Sequence, residues 1–170
     1  NEPKIALVSA TGSTRMGKAV STAVGTRLGK SLLELGGNNA IIISKDADID
    51  IALVGSLFGA VGTAGQRCTT TRRLIIHQEI YDAFKKKLIN AYKQFKIGDP
   101  LKEENHVGPL IDKDAVKSYL NAIDQIKKQG GKMTIPGGIV YGKGFESGCY
   151  VKPCIGEFTN DMDIVQQETF

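Results

Sequence analysis

Three short segments of this 170-residue sequence hold residue types that chemistry needs. In Gly65-Gln66-Arg67-Cys68-Thr69-Thr70 a cysteine follows a glycine turn and stands beside an arginine. A neighbouring cation lowers a thiol's pKa, and the thiolate is the reactive nucleophile. The alternative for Cys68 is a small residue filling a gap in a core, and that reading is kept for Cys149 and Cys154, which have no comparable setting. Leu32-Leu33-Glu34-Leu35-Gly36-Gly37 embeds one carboxylate among leucines. Desolvation there raises a carboxyl pKa toward the range of a general base, whereas a glutamate ion-paired at a strand edge fits the same residues equally well.

The third segment is Gly12-Ser13-Thr14-Arg15-Met16-Gly17-Lys18-Ala19. A glycine turn between strand and helix offers backbone N–H groups and the positive end of a helix dipole to phosphate. The spacing approaches G-x-x-x-x-G-K-[ST], but Ala19 stands where a hydroxyl must hold Mg²⁺, so a triphosphatase lacks its metal ligand. The dinucleotide pattern G-x-G-x-x-G is absent, and an ordinary helix cap explains the turn at least as well.

The elements that position these segments follow from periodicity. Lys4 to Ser9 is a short apolar run and predicts a strand; Arg15 to Leu28 has helical spacing. Ala40 to Ser44 lacks polar alternation, as a parallel strand buried on both faces does, and Asp46 or Asp48 caps a helix running to about Gly62. Thr63 to Thr71 reads as a turn, which places Cys68 in a loop before a strand at Arg72 to His77. In Glu79 to Phe95 the apolar Ile80, Phe84, Leu88, Tyr92 and Phe95 share one face. A second such helix runs from an Asp112 cap to Gly130-Gly131, with Lys127 and Lys128 suiting its C-terminal dipole. Strands at Lys132 to Ile135 and Tyr150 to Ile155 flank a glycine-rich connection. Strands alternating with helices predict an α/β fold with a mainly parallel sheet and flanking helices.

Composition narrows the functional classes. With 41% hydrophobic and 24% charged residues the chain has enough apolar surface for a core and is not disordered. No stretch approaches a membrane span, and Asn1-Glu2-Pro3-Lys4 lacks a signal peptide's pattern, which reads as a cytoplasmic protein with no membrane partner. An odd set of three cysteines without C-x-x-C spacing, and only two histidines, argues against disulfide scaffolding and metal. The net charge of +4 resides on helix faces such as Lys85-Lys86-Lys87, a solvated surface and not a nucleic-acid site. The first residue is not Met and the last four, Gln167-Glu168-Thr169-Phe170, carry no cap or tail, so truncation at both ends is expected.

Taken in chain order, the three segments resemble the NAD(P)-dependent aldehyde dehydrogenases, and the likeness extends over essentially the whole sequence. Gly12-Ser13-Thr14 resembles the turn that contacts the cofactor pyrophosphate, Leu33-Glu34-Leu35-Gly36-Gly37 the general-base motif, and Gly65-Gln66-Arg67-Cys68 the nucleophile loop. Glu168-Thr169-Phe170 resembles the family's E-[TS]-F segment. The resemblance implies that Cys68 is the nucleophile, Glu34 the base and Thr69 a neighbour of the substrate. It implies that Gly12, Ser13, Thr14, Gly17, Leu35 and Gly36 face the cofactor, NAD or NADP, that Glu168 binds the nicotinamide ribose, and that Phe170 packs near the ring. Residues 1–30 would be the C-terminal piece of the NAD-binding domain and 31–170 a truncated catalytic domain, with the oxyanion-hole asparagine outside the chain. Gly37-Asn38-Asn39-Ala40 and Val61 to Thr70 look most like the antiquitin subfamily, which oxidises α-aminoadipic semialdehyde in lysine catabolism. The resemblance further implies a small-molecule aldehyde substrate and a parent homo-oligomer, dimer or tetramer, with the isolated chain inactive. Two alternatives stay open: a non-catalytic α/β module, and a nucleotide-phosphate enzyme using Gly12 to Lys18.

Overall fold

The computed structural model describes residues 2–169. The chain divides into two compact units, Asn1–Gly37 and Asn38–Phe170.

The first unit is one strand–helix–strand repeat. β1 (Leu7–Thr11) pairs in parallel with β2 (Lys30–Glu34), from Leu7 opposite Lys30 to Thr11 opposite Glu34. Between them runs α1 (Thr14–Gly25), begun by Ser13, whose hydroxyl accepts the Met16 N–H at 3.2 Å and satisfies one of the helix's free donors. Strand β2 is an addition to the elements expected from sequence. Its Leu32-Leu33 pair is a short apolar signal, and the strand edge that one reading of Glu34 assumes is this strand.

The second unit repeats the pattern at larger scale. β3 (Asn39–Ile43) and β4 (Thr71–Ile76) are parallel, joined through α2 (Ile49–Val61) and the loop that carries Cys68. Asp48 starts α2 by accepting the Asp50 and Ile51 N–H groups, both at 3.0 Å. α3 (Gln78–Tyr92) follows β4 and sends Phe84, which is 0% exposed, and Leu88 against Ile43 of β3. Burying one such aromatic side chain contributes about 2–3 kcal/mol. α4 (Lys113–Lys128) is capped by Asp112, which accepts the Ala115 N–H at 2.8 Å, and its buried Val116, Tyr119 and Ile123 form a second core with Leu110 and Val151.

The α/β class is therefore borne out, with one refinement. The parallel pairs carry the longest strands, while β5 (Lys132–Ile135) pairs antiparallel with β8 (Ile155–Glu157), and β6 (Gly138–Ile139) with β7 (Val151–Lys152). The single strand expected at Tyr150 to Ile155 is split between β7 and β8. Pro153 lies at the break; it has no N–H to give a ladder. Glu157 fastens β8 to its surroundings: its carboxylate accepts from Tyr81 (2.7 Å), Lys85 (3.1 Å) and Thr134 (2.5 Å).

Candidate functional site

In the first unit the glycine turn and the Leu-Glu-Leu segment come together. The Gly12 N–H donates to the Glu34 carbonyl at 3.0 Å, extending the β1–β2 ladder by one bond into the turn. At Gly12 a Cβ would lie 2.7 Å from the Met16 methyl, which would have to swing aside, and Gly17 is buried against Leu35, where a Cβ would lie 2.6 Å from a Leu35 methyl. The turn thus opens α1 with free N–H groups, no acidic residue in the first turn, and Arg15 close by. That donor set fits an anionic pyrophosphate. The cap reading of Ser13 also holds, and the two are compatible, because a side-chain cap satisfies only one of several free N–H groups.

Glu34 ends β2 with an exposed side chain. The desolvation expected from its leucine neighbours is therefore not present within this unit. The reason is strand alternation: Leu33 points to the partly covered face, and Glu34, one residue on, to the open one.

In the second unit Cys68 is an exposed free thiol. The approach to it is unusual: Thr63, Ala64 and Gly65 all have positive φ, at 52°, 53° and 74°. Left-handed backbone is costly for a β-branched residue, and such outliers gather at functional loops. Arg67, expected to lower the Cys68 pKa, is engaged elsewhere. Its guanidinium donates to the Phe58 carbonyl at 3.0 Å and sits 4.7 Å above the Phe58 ring.

Side chains tie the loop's carbonyls down. Asn39 Nδ2 donates to the carbonyls of Cys68 (2.6 Å) and Thr70 (3.1 Å). Arg72 donates to Thr70 O at 2.9 Å and Arg67 O at 3.5 Å. The buried Thr70 closes the turn, its N–H on the Arg67 carbonyl and its hydroxyl accepting the Arg67 N–H, both at 3.0 Å. Gln66 holds the loop to the next segment, accepting the Ile111 N–H at 2.8 Å and donating to Pro109 O at 3.4 Å. Arg72 also forms an ion pair with Glu168 at 3.3 Å. Thr69 is exposed beside Cys68, and Phe170 lies outside the described residues.

Glu34 and the glycine turn thus belong to one unit, and Cys68, Thr69 and Glu168 to the other. The aldehyde dehydrogenase family profile matches residues 1–170. The chain belongs to the aldehyde dehydrogenase family. It is 47% identical over 169 residues to an aldehyde dehydrogenase family 7 member A1 of Brassica napus, covering 99% of this chain and 33% of the relative. It is 46% identical over 170 residues to an alpha-aminoadipic semialdehyde dehydrogenase of Rattus norvegicus, covering 99% of this chain and 31% of that protein. The solved betaine aldehyde dehydrogenase of Staphylococcus aureus, in complex with NAD+, superposes with a TM-score of 0.94 at 28% identity, over 99% of this chain and 34% of that one. The resemblance expected from the sequence is borne out, and the chain spans about a third of the length of the curated relatives it matches.

Within this aldehyde dehydrogenase chain, sequence reasoning missed Asn39, Gln66 and Arg72 as parts of the Cys68 loop. Gln66 alone had a signal, its place in the Gly-Gln-Arg-Cys run. The strand expected at Arg72 to His77 makes Arg72 an ordinary strand residue. In the ladder Asn39 pairs with Thr71 and Ala40 with Arg73, so Arg72 is the extra residue of a bulge. A bulge re-aims its side chain out of the strand's alternation, and here the guanidinium turns back over the loop.

Proposed function

We propose that this chain carries the nucleophile and the base of an NAD(P)-dependent aldehyde dehydrogenase whose substrate is α-aminoadipic semialdehyde. The observation that carries the reading is an exposed Cys68 thiol on a loop whose carbonyls at Arg67, Cys68 and Thr70 are all taken by donors. The names of the family 7 relatives support the substrate.

In the reaction, the Cys68 thiolate adds to the aldehyde carbon and gives a thiohemiacetal oxyanion. The Cys68 N–H has no acceptor among the described residues and is available to that oxyanion. NAD(P), when bound, accepts the hydride. The thioester left on Cys68 is cleaved by water that Glu34 deprotonates, releasing carboxylate and thiolate. Glu34 stands at an open strand end, where water reaches it. When NAD(P) is bound, Gly12, Ser13, Thr14 and Gly17 would shape the α1 N-terminus for its pyrophosphate with Leu35 and Gly36 beside them, Glu168 would hold the ribose, and Phe170 and Thr69 would serve the nicotinamide and the substrate. By the same reading, residues 1–30 close the cofactor domain, residues 31–170 belong to the catalytic domain, and the protein acts as a cytoplasmic homo-oligomer in lysine catabolism.

The test follows NAD+ reduction at 340 nm by the full-length protein with α-aminoadipic semialdehyde and a simple aliphatic aldehyde. Reduction with preference for the semialdehyde, abolished by Cys68→Ala, is expected. Glu34→Gln should leave one rapid turnover and a thioester on Cys68 visible by intact mass. Oxidation retained by Cys68→Ala would overturn the nucleophile assignment.

A further inference from the structure

The backbone at Cys68 is held from both sides, and the two holds differ in origin. The peptide between Arg67 and Cys68 is fixed through its carbonyl, which accepts from the Thr70 N–H at 3.0 Å and from Arg72 at 3.5 Å. Because a trans peptide is planar, a carbonyl turned into the loop turns the Cys68 N–H the other way. Among the described residues, the peptide between Cys68 and Thr69 is fixed by one group, the Asn39 carboxamide at 2.6 Å. The same carboxamide reaches the Thr70 carbonyl at 3.1 Å, so one side-chain NH₂ satisfies two acceptors.

Asn39 is itself fixed. It stands beside the bulge that re-aims Arg72, and the Asn38 carbonyl, in the peptide that precedes it, accepts both Arg73 Nε at 3.1 Å and Arg73 Nη2 at 2.7 Å. The Asn38 side chain donates in turn to Val165 O at 2.7 Å.

We propose that Asn39 is a positioning residue for Cys68: by holding the Cys68 and Thr70 carbonyls, it keeps acceptors away from the face where a substrate oxyanion forms and leaves the Cys68 N–H as the donor there. This rests on the nucleophile reading of Cys68. A short turn with its Arg67, Cys68 and Thr70 carbonyls tied down, and with no acceptor on the Cys68 and Thr69 N–H groups among the described residues, presents a net positive edge, and preorganised dipoles of that kind stabilise developing negative charge without reorganising. Without Asn39 the Cys68–Thr69 peptide has no other hold among the described residues. Its carbonyl is then free to turn outward, where it opposes the oxyanion.

The experiment compares two reactions of Cys68 in the full-length protein. Addition to an aldehyde develops an oxyanion; alkylation by iodoacetamide displaces iodide at saturated carbon and develops none. Asn39→Ala removes the donor, and Asn39→Asp puts an acceptor against two carbonyls. Both variants should lower kcat for NAD+ reduction by about 10²-fold, the scale of losing one oxyanion donor, with KM shifted less than about 3-fold. Alkylation of Cys68, followed by peptide mass mapping, should stay within about 3-fold of wild type, Asp being the slower by charge repulsion. Values of kcat within about 3-fold of wild type in both variants overturn the proposal, as does alkylation that changes in parallel with kcat, which marks general loss of the loop. A wild-type protein that reduces no NAD+ with any aldehyde overturns the nucleophile reading and the Asn39 role with it; an active wild type with unaffected variants overturns the Asn39 role alone.

Discussion

Gly17 sits inside α1, where glycine costs about 0.5–1 kcal/mol relative to alanine, so a Gly17→Ala change should by helix propensity alone stabilise the first unit. The packing argues the other way. A Cβ at this position lies 2.6 and 2.7 Å from the two Leu35 methyls and 3.2 Å from Leu35 Cγ. All three atoms belong to one side chain, which must turn as a whole, and forced repacking of this kind costs about 1–3 kcal/mol. The clash should win, leaving Gly17→Ala about 1–2 kcal/mol less stable. In a Leu35→Ala background the obstruction is gone, so the same change should stabilise by about 0.5–1 kcal/mol. The difference is a coupling of roughly 1.5–3 kcal/mol, well outside the additivity of independent sites. Hydrogen exchange of the α1 amides measures it, since local opening reports on this unit by itself. Increased protection of α1 on Gly17→Ala in both backgrounds would refute the reasoning.

Three further outcomes follow from the second unit. The Thr134, Tyr81 and Lys85 partners hold the Glu157 carboxyl at about 2, below its usual 4.5. A depressed carboxyl contributes stability above its unfolded pKa and loses it as pH falls through the folded one, so urea stability should drop between about pH 5 and pH 2. Unscreened, the shift is worth about 3 kcal/mol; with the side chain 25% exposed, about half of that is expected to survive, and Glu157→Gln should flatten the slope. Tyr119→Phe removes a buried hydroxyl that donates to Lys152 O at 2.6 Å and accepts the Gly138 N–H at 2.9 Å; stranding both partners should cost about 1–3 kcal/mol in denaturant unfolding. Gly65→Ala puts a Cβ on a residue with φ +74°, 3.3 Å from the Ala60 carbonyl, and should destabilise by about 1–2 kcal/mol while lowering kcat more than KM changes.

The helices were legible because their signals are local. Asp48 and Asp112 cap as side chains must at a helix start, and the Ile80, Phe84, Leu88 and Tyr92 face packs on the sheet as its spacing requires. The strands were less so. β1 lies at Leu7–Thr11, displaced toward the turn from the expected Lys4 to Ser9, because the ladder with β2 and not the apolar run sets its limits. β2 itself needs β1 as a partner, and no property of Lys30 to Glu34 alone announces one.

The site divides along the same line. Cys68 and Glu34 stood out by residue type, yet the environment assigned to each came from sequence neighbours, and in both cases the third dimension decided differently. Glu34 is flanked by leucines but takes the open face of its strand; Arg67 is adjacent to Cys68 but spends its charge on Phe58. What holds the backbone of the Cys68 loop comes instead from about thirty residues upstream and four downstream, Asn39 and Arg72, brought there by strand pairing and by a bulge that sequence periodicity does not reveal. Arg72 then reaches Glu168, so the loop that bears the nucleophile and the residue proposed to hold the ribose share one guanidinium. A ligand that draws the Glu168 carboxylate away from Arg72 must change how firmly Arg72 holds the Arg67 and Thr70 carbonyls, because the same five donors serve both. On the proposed role of Glu168, the Arg72 guanidinium is thus the physical link between the ribose-binding carboxylate and the carbonyls of the Cys68 loop.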